Sequence, residues 1–264
     1  MKTAIVTSFD SNYMMPSQVS LKSLSENYHG ESKLDVICLV EPNLLDKQEA
    51  YIKQLDADNL NIEFRCSPKY LDMVKNGNAH GSMYITPGCN HRIYLGSTLP
   101  DYDKAIYIDP DTLVLRDISM LLDYPLRNKL LAIVELNAEN VRMFSTTDRP
   151  YFNNGVFIAD LNYWRESGAE EIMNDFTIKY GPTLCPEQDA MNFAFIDVWS
   201  PLPYSFNTFH YWIISDKMDQ FTNHNRDPLI IHFVGPDKPW YANNSEWERR
   251  WHDTYKRLFK LGGK

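Results

Sequence analysis

Cysteine is scarce and unpaired in this chain. Cys38, Cys66, Cys89 and Cys185 are the four in 264 residues, and no two stand in a CxxC pair. A thiolate zinc site needs such spacing, and a disulfide framework belongs to shorter, cysteine-dense secreted chains. Reduced, mostly buried thiols in a cytoplasmic setting are the expectation that remains. Positive charge is also short, with 26 Lys and Arg against 35 Asp and Glu. Phosphate backbones are bound by surplus cations, so no nucleic-acid partner is expected. No apolar run approaches the length of a membrane-spanning helix. The opening MKTAIVTSFDSNY meets Asp10 too early to read as a signal peptide. Internal repeats, low-complexity tracts and Gly/Ser linkers are missing too. One large domain, or one domain with a small appendage, fits the length.

What is present alternates strand and helix. Lys2 to Thr7, Leu34 to Val40 and Asn61 to Arg65 read as strands, with helical spacing over Ser17 to Tyr28 and Leu44 to Leu55 between them. That order predicts a mostly parallel sheet flanked by helices. Further strands are expected at Ala105 to Ile108, Leu130 to Val134, Gly155 to Ala159 and Pro228 to Phe233. Helices are expected at Asn162 to Tyr180, stopping at Gly181-Pro182, and at Pro186 to Phe195. The stretches 137–150 and 201–227 lack periodicity and read as long loops. A doubly wound α/β sheet places its ligand at the carboxyl ends of its strands.

One such end carries chemistry. The strand AIYI runs straight into Asp109-Pro110-Asp111. Paired carboxylates suit hard divalent cations such as Mn²⁺ or Mg²⁺, and a diphosphate leaving group needs one. Asp56-Ala57-Asp58 and Asp101-Tyr102-Asp103 share the spacing but follow no apolar strand. A solvated turn is the plain alternative for any of them. His232, at the end of IIH, makes sense as a third ligand, since imidazole suits Mn²⁺ as well. Downstream, Gly235 permits close backbone approach to a phosphate and Lys238 offers it a point charge. Asn153-Asn154 before a strand, and Glu187, Gln188 and Asp189 after Pro186, supply the donors and acceptors that sugar hydroxyls need. Their plain readings are a turn and a helix first turn.

Four blocks in order, SFDSNY, KAIYIDPDTLV, YFNNGVFIADLNYWR with EQDAMN, and HFVGPDKPW, resemble glycosyltransferase family 8, which includes bacterial lipopolysaccharide galactosyl- and glucosyltransferases and glycogenin. The resemblance runs from the first strand to Trp240. It implies an α/β GT-A fold: a single Rossmann-like domain for nucleotide-diphospho-sugars, set here at 1–244. It implies that Asp109, Asp111 and His232 bind the metal. Ser8, Asp10 and Asn12 are expected in the uridine pocket, Arg92 at the donor sugar and phosphates, Asn153 at the sugar, and Gly235 and Lys238 at the diphosphate. Glu187, Gln188 and Asp189 match the segment that grips the sugar, with Gln188 close to the anomeric carbon. The chain departs from the pattern at Glu135, where related bacterial galactosyltransferases often carry Asp, and at Phe9 and Ser11. Those departures leave the donor sugar open.

The function so implied is retaining transfer of glucose or galactose from a UDP-hexose to a hydroxyl acceptor, a glycan or glycolipid, with a divalent metal. Gln188 is a poor nucleophile, so front-face transfer is favoured over the carboxylate double displacement of retaining glycosidases. A glycogenin-like self-glucosylating protein and a non-catalytic nucleotide-sugar-binding scaffold are the alternatives. A nucleotidyltransferase is disfavoured because Ser8 to Tyr13 has neither glycine nor lysine. The last segment, 245–264, carries Trp247, Trp251, Tyr255 and Phe259 every four residues among Arg and Lys. It reads as an amphipathic helix packed on the domain with a solvated basic face. Peripheral contact with the inner face of a membrane is the alternative.

Overall fold

A strand covered on both faces must be apolar on both, and β1 (Thr3–Phe9) meets that condition. Ile5 and Phe9 enter one core while Ala4 and Val6 enter the other. The computed structural model describes residues 1–80, 86–126, 129–134, 151–181, 183, 185–211 and 227–261. The remaining strands are β2 (Leu34–Val40), β3 (Leu60–Arg65), β4 (Lys104–Ile108), β5 (Thr112–Val114), β6 (Leu130–Val134), β7 (Phe152–Asp160), β8 (Trp199–Pro201), β9 (Thr208–Phe209) and β10 (Ile230–His232). Seven form one sheet in the order β3-β2-β1-β4-β7-β6-β8, and β5-β10-β9 form a second, smaller one. The large sheet is parallel except for β7, which runs antiparallel to both β4 and β6. Periodicity carries no strand direction, so this reversal was invisible in the chain.

Helices cover both faces. On one side α1 (Met14–Asn27), α2 (Gln48–Leu55) and α8 (Glu246–Leu258) pack with the small sheet, through residues such as Leu24, Tyr51, Trp251 and Ile231. On the other lie α3 (Pro68–Lys75), α4 (Leu95–Thr98), α5 (Leu161–Glu166), α6 (Ala169–Tyr180) and α7 (Pro186–Ala194), with Tyr70, Trp164 and Met173 buried.

Two expectations need correction. The helix expected from Asn162 to Tyr180 is two, α5 and α6, broken at Ser167-Gly168, where Gly168 takes the left-handed φ of +67° that non-glycine residues resist. Asp160 caps α5 by accepting from the Tyr163 N–H at 3.0 Å. The strand expected from Gly155 begins at Phe152, so Asn153 and Asn154 lie inside β7 rather than in a turn before it. Of the cysteines, only Cys38 is fully buried; Cys66, Cys89 and Cys185 are half-buried, and none of the four is in a disulfide.

α8 opens with a capping box between Ser245 and Glu248. Its aromatic side packs inward: Trp251 is buried, Tyr255 stacks on it at 5.7 Å, and Phe259 follows at 4.7 Å. Arg250, Lys256 and Arg257 pair with Glu246, Asp253 and Glu26. Among the described residues no helix is long and apolar enough to cross a membrane. The segment 137–150 lies outside the described residues, as does 212–226 of the second long loop.

His91 is fully buried and stacks on Tyr70, with ring centroids 3.6 Å apart. Neither ring nitrogen has a hydrogen-bond partner among the described residues. Burial pushes the imidazole from 6.5 down to about 3. The folded ring therefore resists a proton that the unfolded chain accepts. Stability is whole above pH 6.5 and falls by about 1.4 kcal/mol per pH unit as pH drops toward 3. His91→Phe keeps the stacking and removes this charge, so its urea midpoint is expected to fall less steeply over that window than the wild type's. Parallel acid limbs in the two proteins would refute the assignment.

Candidate active site

The site sits where the topology leaves a crevice. The carboxyl ends of β1 and β4 open onto it, and because β7 is reversed its beginning, not its end, arrives beside them. Asp109 follows β4 and donates its backbone N–H to the Gly155 carbonyl at 2.7 Å. Asp111 leads into β5, and β5 pairs antiparallel with β10 so that Thr112 faces His232. The Thr112 hydroxyl closes the Asp-Pro-Asp turn on the Asp109 carbonyl at 2.8 Å.

Strand pairing thus brings three ligand-type groups together. One carboxylate oxygen from each aspartate and one His232 nitrogen lie within 4.8 Å of one another. His232 Nε2 is 3.2 Å from Asp111 Oδ1 and 3.5 Å from Asp109 Oδ2. Gly155 stands directly behind: a Cβ there would lie 2.1 Å from His232 Cε1 and 2.9 Å from Asp109 Oδ2. The donor set, two carboxylates and an imidazole, fits a Mn²⁺ or Mg²⁺ ion, and the missing side chain at 155 is what allows the three to meet.

Each aspartate also meets a buried cation. The Arg92 guanidinium donates to Asp109 Oδ1 at 2.7 Å, to the Asn154 carbonyl at 2.8 Å and to the Cys89 carbonyl at 3.1 Å, and lies over the Tyr107 ring at 4.5 Å. Lys238 donates to Asp111 Oδ2 at 2.5 Å and to the Phe233 carbonyl at 2.7 Å. The bend that returns Lys238 to β10 passes through Gly235 at φ +85°. Burial pushes the Asp109 carboxyl above its ordinary value, against the pull of Arg92. Asp111 is buried as well, but Lys238, together with His232 when its ring is protonated, outweighs burial and holds its carboxyl well below the usual range. Two adjacent carboxyls are thereby pushed apart.

The crevice holds a cavity of about 160 Å³ that opens to solvent. Ser8, Asp10, Arg92, Asn153, Gly235 and Lys238 line it together with the three ligand-type residues. So do Glu187 and Gln188, from the first turn of α7. Two expected residues do not join them. Asn12 is exposed, and its backbone N–H bonds to Asp10 Oδ1 at 2.9 Å. Asp189 is buried behind the wall, accepting from Tyr151 at 2.6 Å and from Thr183. Glu135 lies outside the described residues. Sequence reasoning missed Tyr13, Cys89 and Cys185, which also line the crevice, as does Asn154, which it had set beside Asn153 as a partner for sugar hydroxyls. Tyr13 sat within the quoted block SFDSNY; the two cysteines carried no spacing signal.

Comparison with known proteins places the chain. The model of the family described as glycosyl transferase family 8 matches residues 4–244. General stress protein A of Bacillus subtilis (strain 168) is 30% identical over 199 residues, covering 69% of this chain and 70% of that protein. The lipopolysaccharide 1,2-glucosyltransferase of Escherichia coli (strain K12) is 32% identical over 165 residues, covering 56% of this chain but only 46% of that protein. Among solved structures, the galactosyltransferase LgtC in complex with donor and acceptor sugar analogues superposes with a TM-score of 0.79 at 22% identity, covering 97% of this chain and 96% of that one. That likeness shows the fold, the GT-A architecture that the strand order and the crevice share. A family match spanning nearly the whole described core leads to one conclusion: the chain belongs to glycosyltransferase family 8.

Proposed function

We propose that the chain transfers a hexose from a UDP-sugar to a hydroxyl of a glycan or glycolipid, with retention at the anomeric carbon and a divalent cation held by Asp109, Asp111 and His232. The observation that carries this reading is the meeting of those three side chains at one crevice with Lys238 and with Gln188. The names of similar proteins, a glucosyltransferase and a galactosyltransferase, support a hexose donor.

The bound cation would neutralise the diphosphate and stabilise UDP as a leaving group. Lys238, and Arg92 from the β4 side, add positive charge where phosphate charge accumulates. Ser8 and Asp10, with Tyr13 beside them, form the nucleotide end, and Asn12 extends it at the surface. Asn153, Glu187 and Gln188 hold the sugar hydroxyls, with Glu135 as a further donor contact. Gln188 is an amide without nucleophilic charge, and the Asp189 carboxylate is already taken by Tyr151 and Thr183. We favour front-face departure and attack over displacement by Glu187, the remaining carboxylate of α7 in the crevice, with the leaving phosphate taking the acceptor proton. A self-glucosylating protein or a binding scaffold are the competing outcomes.

Calorimetry of UDP binding tests the reading, in Mn²⁺ and again in excess EDTA. Mn²⁺ is expected to tighten UDP at least about tenfold, equivalent to about 1.4 kcal/mol. Asp111→Ala is expected to lose that difference. No UDP binding in either buffer would defeat the proposal. Donor turnover with a panel of UDP-hexoses then separates transferase from scaffold, and intact-protein mass reports self-glucosylation.

A further inference from the structure

Asn207 follows a 3-10 turn at Tyr204–Phe206 and precedes β9, and its polar side chain is completely buried. A buried carboxamide has to satisfy both its ends. Which end is oxygen follows from its partners, and here two backbone N–H groups decide. The Gly155 N–H donates to the Asn153 side chain at 2.9 Å, so the Asn153 atom there is Oδ1. Asn207 meets that same oxygen at 2.8 Å and must present its NH₂. Its own Oδ1 therefore faces His232 Nδ1 at 2.8 Å, and that nitrogen carries the proton. A neutral imidazole protonated at Nδ1 has its lone pair on Nε2, the nitrogen turned toward Asp111 and Asp109.

The second anchor is the Asn154 N–H, which donates to Gln188 Oε1 at 3.1 Å. The Asn153 NH₂ donates to the same oxygen at 3.1 Å. Every amide between the imidazole and Gln188 is thus held in one sense. We propose that Asn207 is a positioning residue: its carboxamide holds His232 with Nε2 toward the two aspartates and joins that ring, through Asn153, to Gln188. Its consequence for metal binding rests on the cation reading of Asp109, Asp111 and His232; its consequence for the tautomer does not. Partners on the far nitrogen of a metal-binding histidine typically change metal affinity 10–100-fold.

Two measurements test this. In wild-type protein labelled with ¹⁵N-histidine, at alkaline pH, long-range ¹H–¹⁵N spectra are expected to show His232 protonated at Nδ1; an Nε2–H ring would overturn the role of Asn207. Mn²⁺ titration followed by electron paramagnetic resonance is expected to show Asn207→Leu binding about 10–100-fold more weakly than wild type. Asn207→Asp, which still accepts from Nδ1–H, is expected to recover most of that loss. Equal Mn²⁺ affinity in wild type and Asn207→Leu would overturn the proposal. If Asn207→Leu does not fold, the labelled wild-type protein decides. Wild-type protein that binds no Mn²⁺ defeats the cation reading, and the metal consequence with it. An Nε2–H ring in protein that does bind Mn²⁺ defeats only the role of Asn207.

Discussion

Gly155→Ala is expected to lose the Mn²⁺-dependent tightening of UDP binding, at least about tenfold or about 1.4 kcal/mol, because the metal's ligands no longer meet. The cause is steric. A methyl carbon at 155 would overlap His232 Cε1 at 2.1 Å and crowd His232 Nδ1 at 2.6 Å and Asp109 Oδ2 at 2.9 Å. The imidazole has little room to retreat, since its Nδ1 is held by Asn207 at 2.8 Å and its ring packs edge-on against Phe209. Backing β7 away instead would stretch the bond between Gly155 and the Asp109 N–H. Backbone conformation is not the reason, because Gly155 does not take the left-handed φ that Gly168 and Gly235 take. Overpacking of this kind costs about 1–3 kcal/mol, so the variant is expected to fold while losing its ligand geometry. Calorimetry with UDP and Mn²⁺, beside a thermal melt, checks both halves. Wild-type Mn²⁺ dependence in a folded Gly155→Ala protein would remove Gly155 from the argument.

Replacing Arg92 acts on stability more than on geometry. Arg92→Met is expected to cost about 3–5 kcal/mol, the range for removing one partner of a buried ion pair. Arg92 is 4% exposed, and without it the Asp109 carboxylate keeps only its weaker neighbours while the carbonyls of Cys89 and Asn154 lose their donor. Arg92→Lys restores the charge but not the three-way fork, so it is expected to recover part of the loss. Urea unfolding of the three proteins measures this. Equal midpoints would mean that Arg92 is not a structural counter-charge.

Local pattern made a good part of this legible. AIYI followed by Asp109-Pro110-Asp111 is a strand and its exit turn, and both are found there. Ser245 and Glu248 spell out a capping box before α8 reaches its aromatic stripe. The pieces that escaped depend on partners distant in the chain. Asn153-Asn154-Gly155 reads as a turn by composition, yet Asn153 pairs with Ile133 of β6 and the Gly155 carbonyl accepts the Asp109 N–H, which makes the segment strand. Asn207 sits in an aromatic stretch with no period, and only its bonds to Asn153 and His232 give it meaning. Asp189 was expected beside the sugar because the family resemblance places it with Glu187 and Gln188 in the segment that grips the sugar. On a helix adjacent residues point in different directions, and Asp189 turns to Tyr151 and Thr183 behind the wall.

By itself the sequence determined which elements form and which chemical groups are available: a layered α/β chain, two aspartates on a strand exit, an imidazole on another strand, and amides and a lysine in recognisable blocks. These follow from short-range rules of period, capping and side-chain type. Only the tertiary structure decided that they converge. The antiparallel register of β5 and β10 sets His232 beside the Asp-Pro-Asp turn, and the reversal of β7 delivers Gly155 and two asparagines to the same crevice. Register and strand direction arise from burying both sheet faces at once, a condition on the whole chain that no single segment contains.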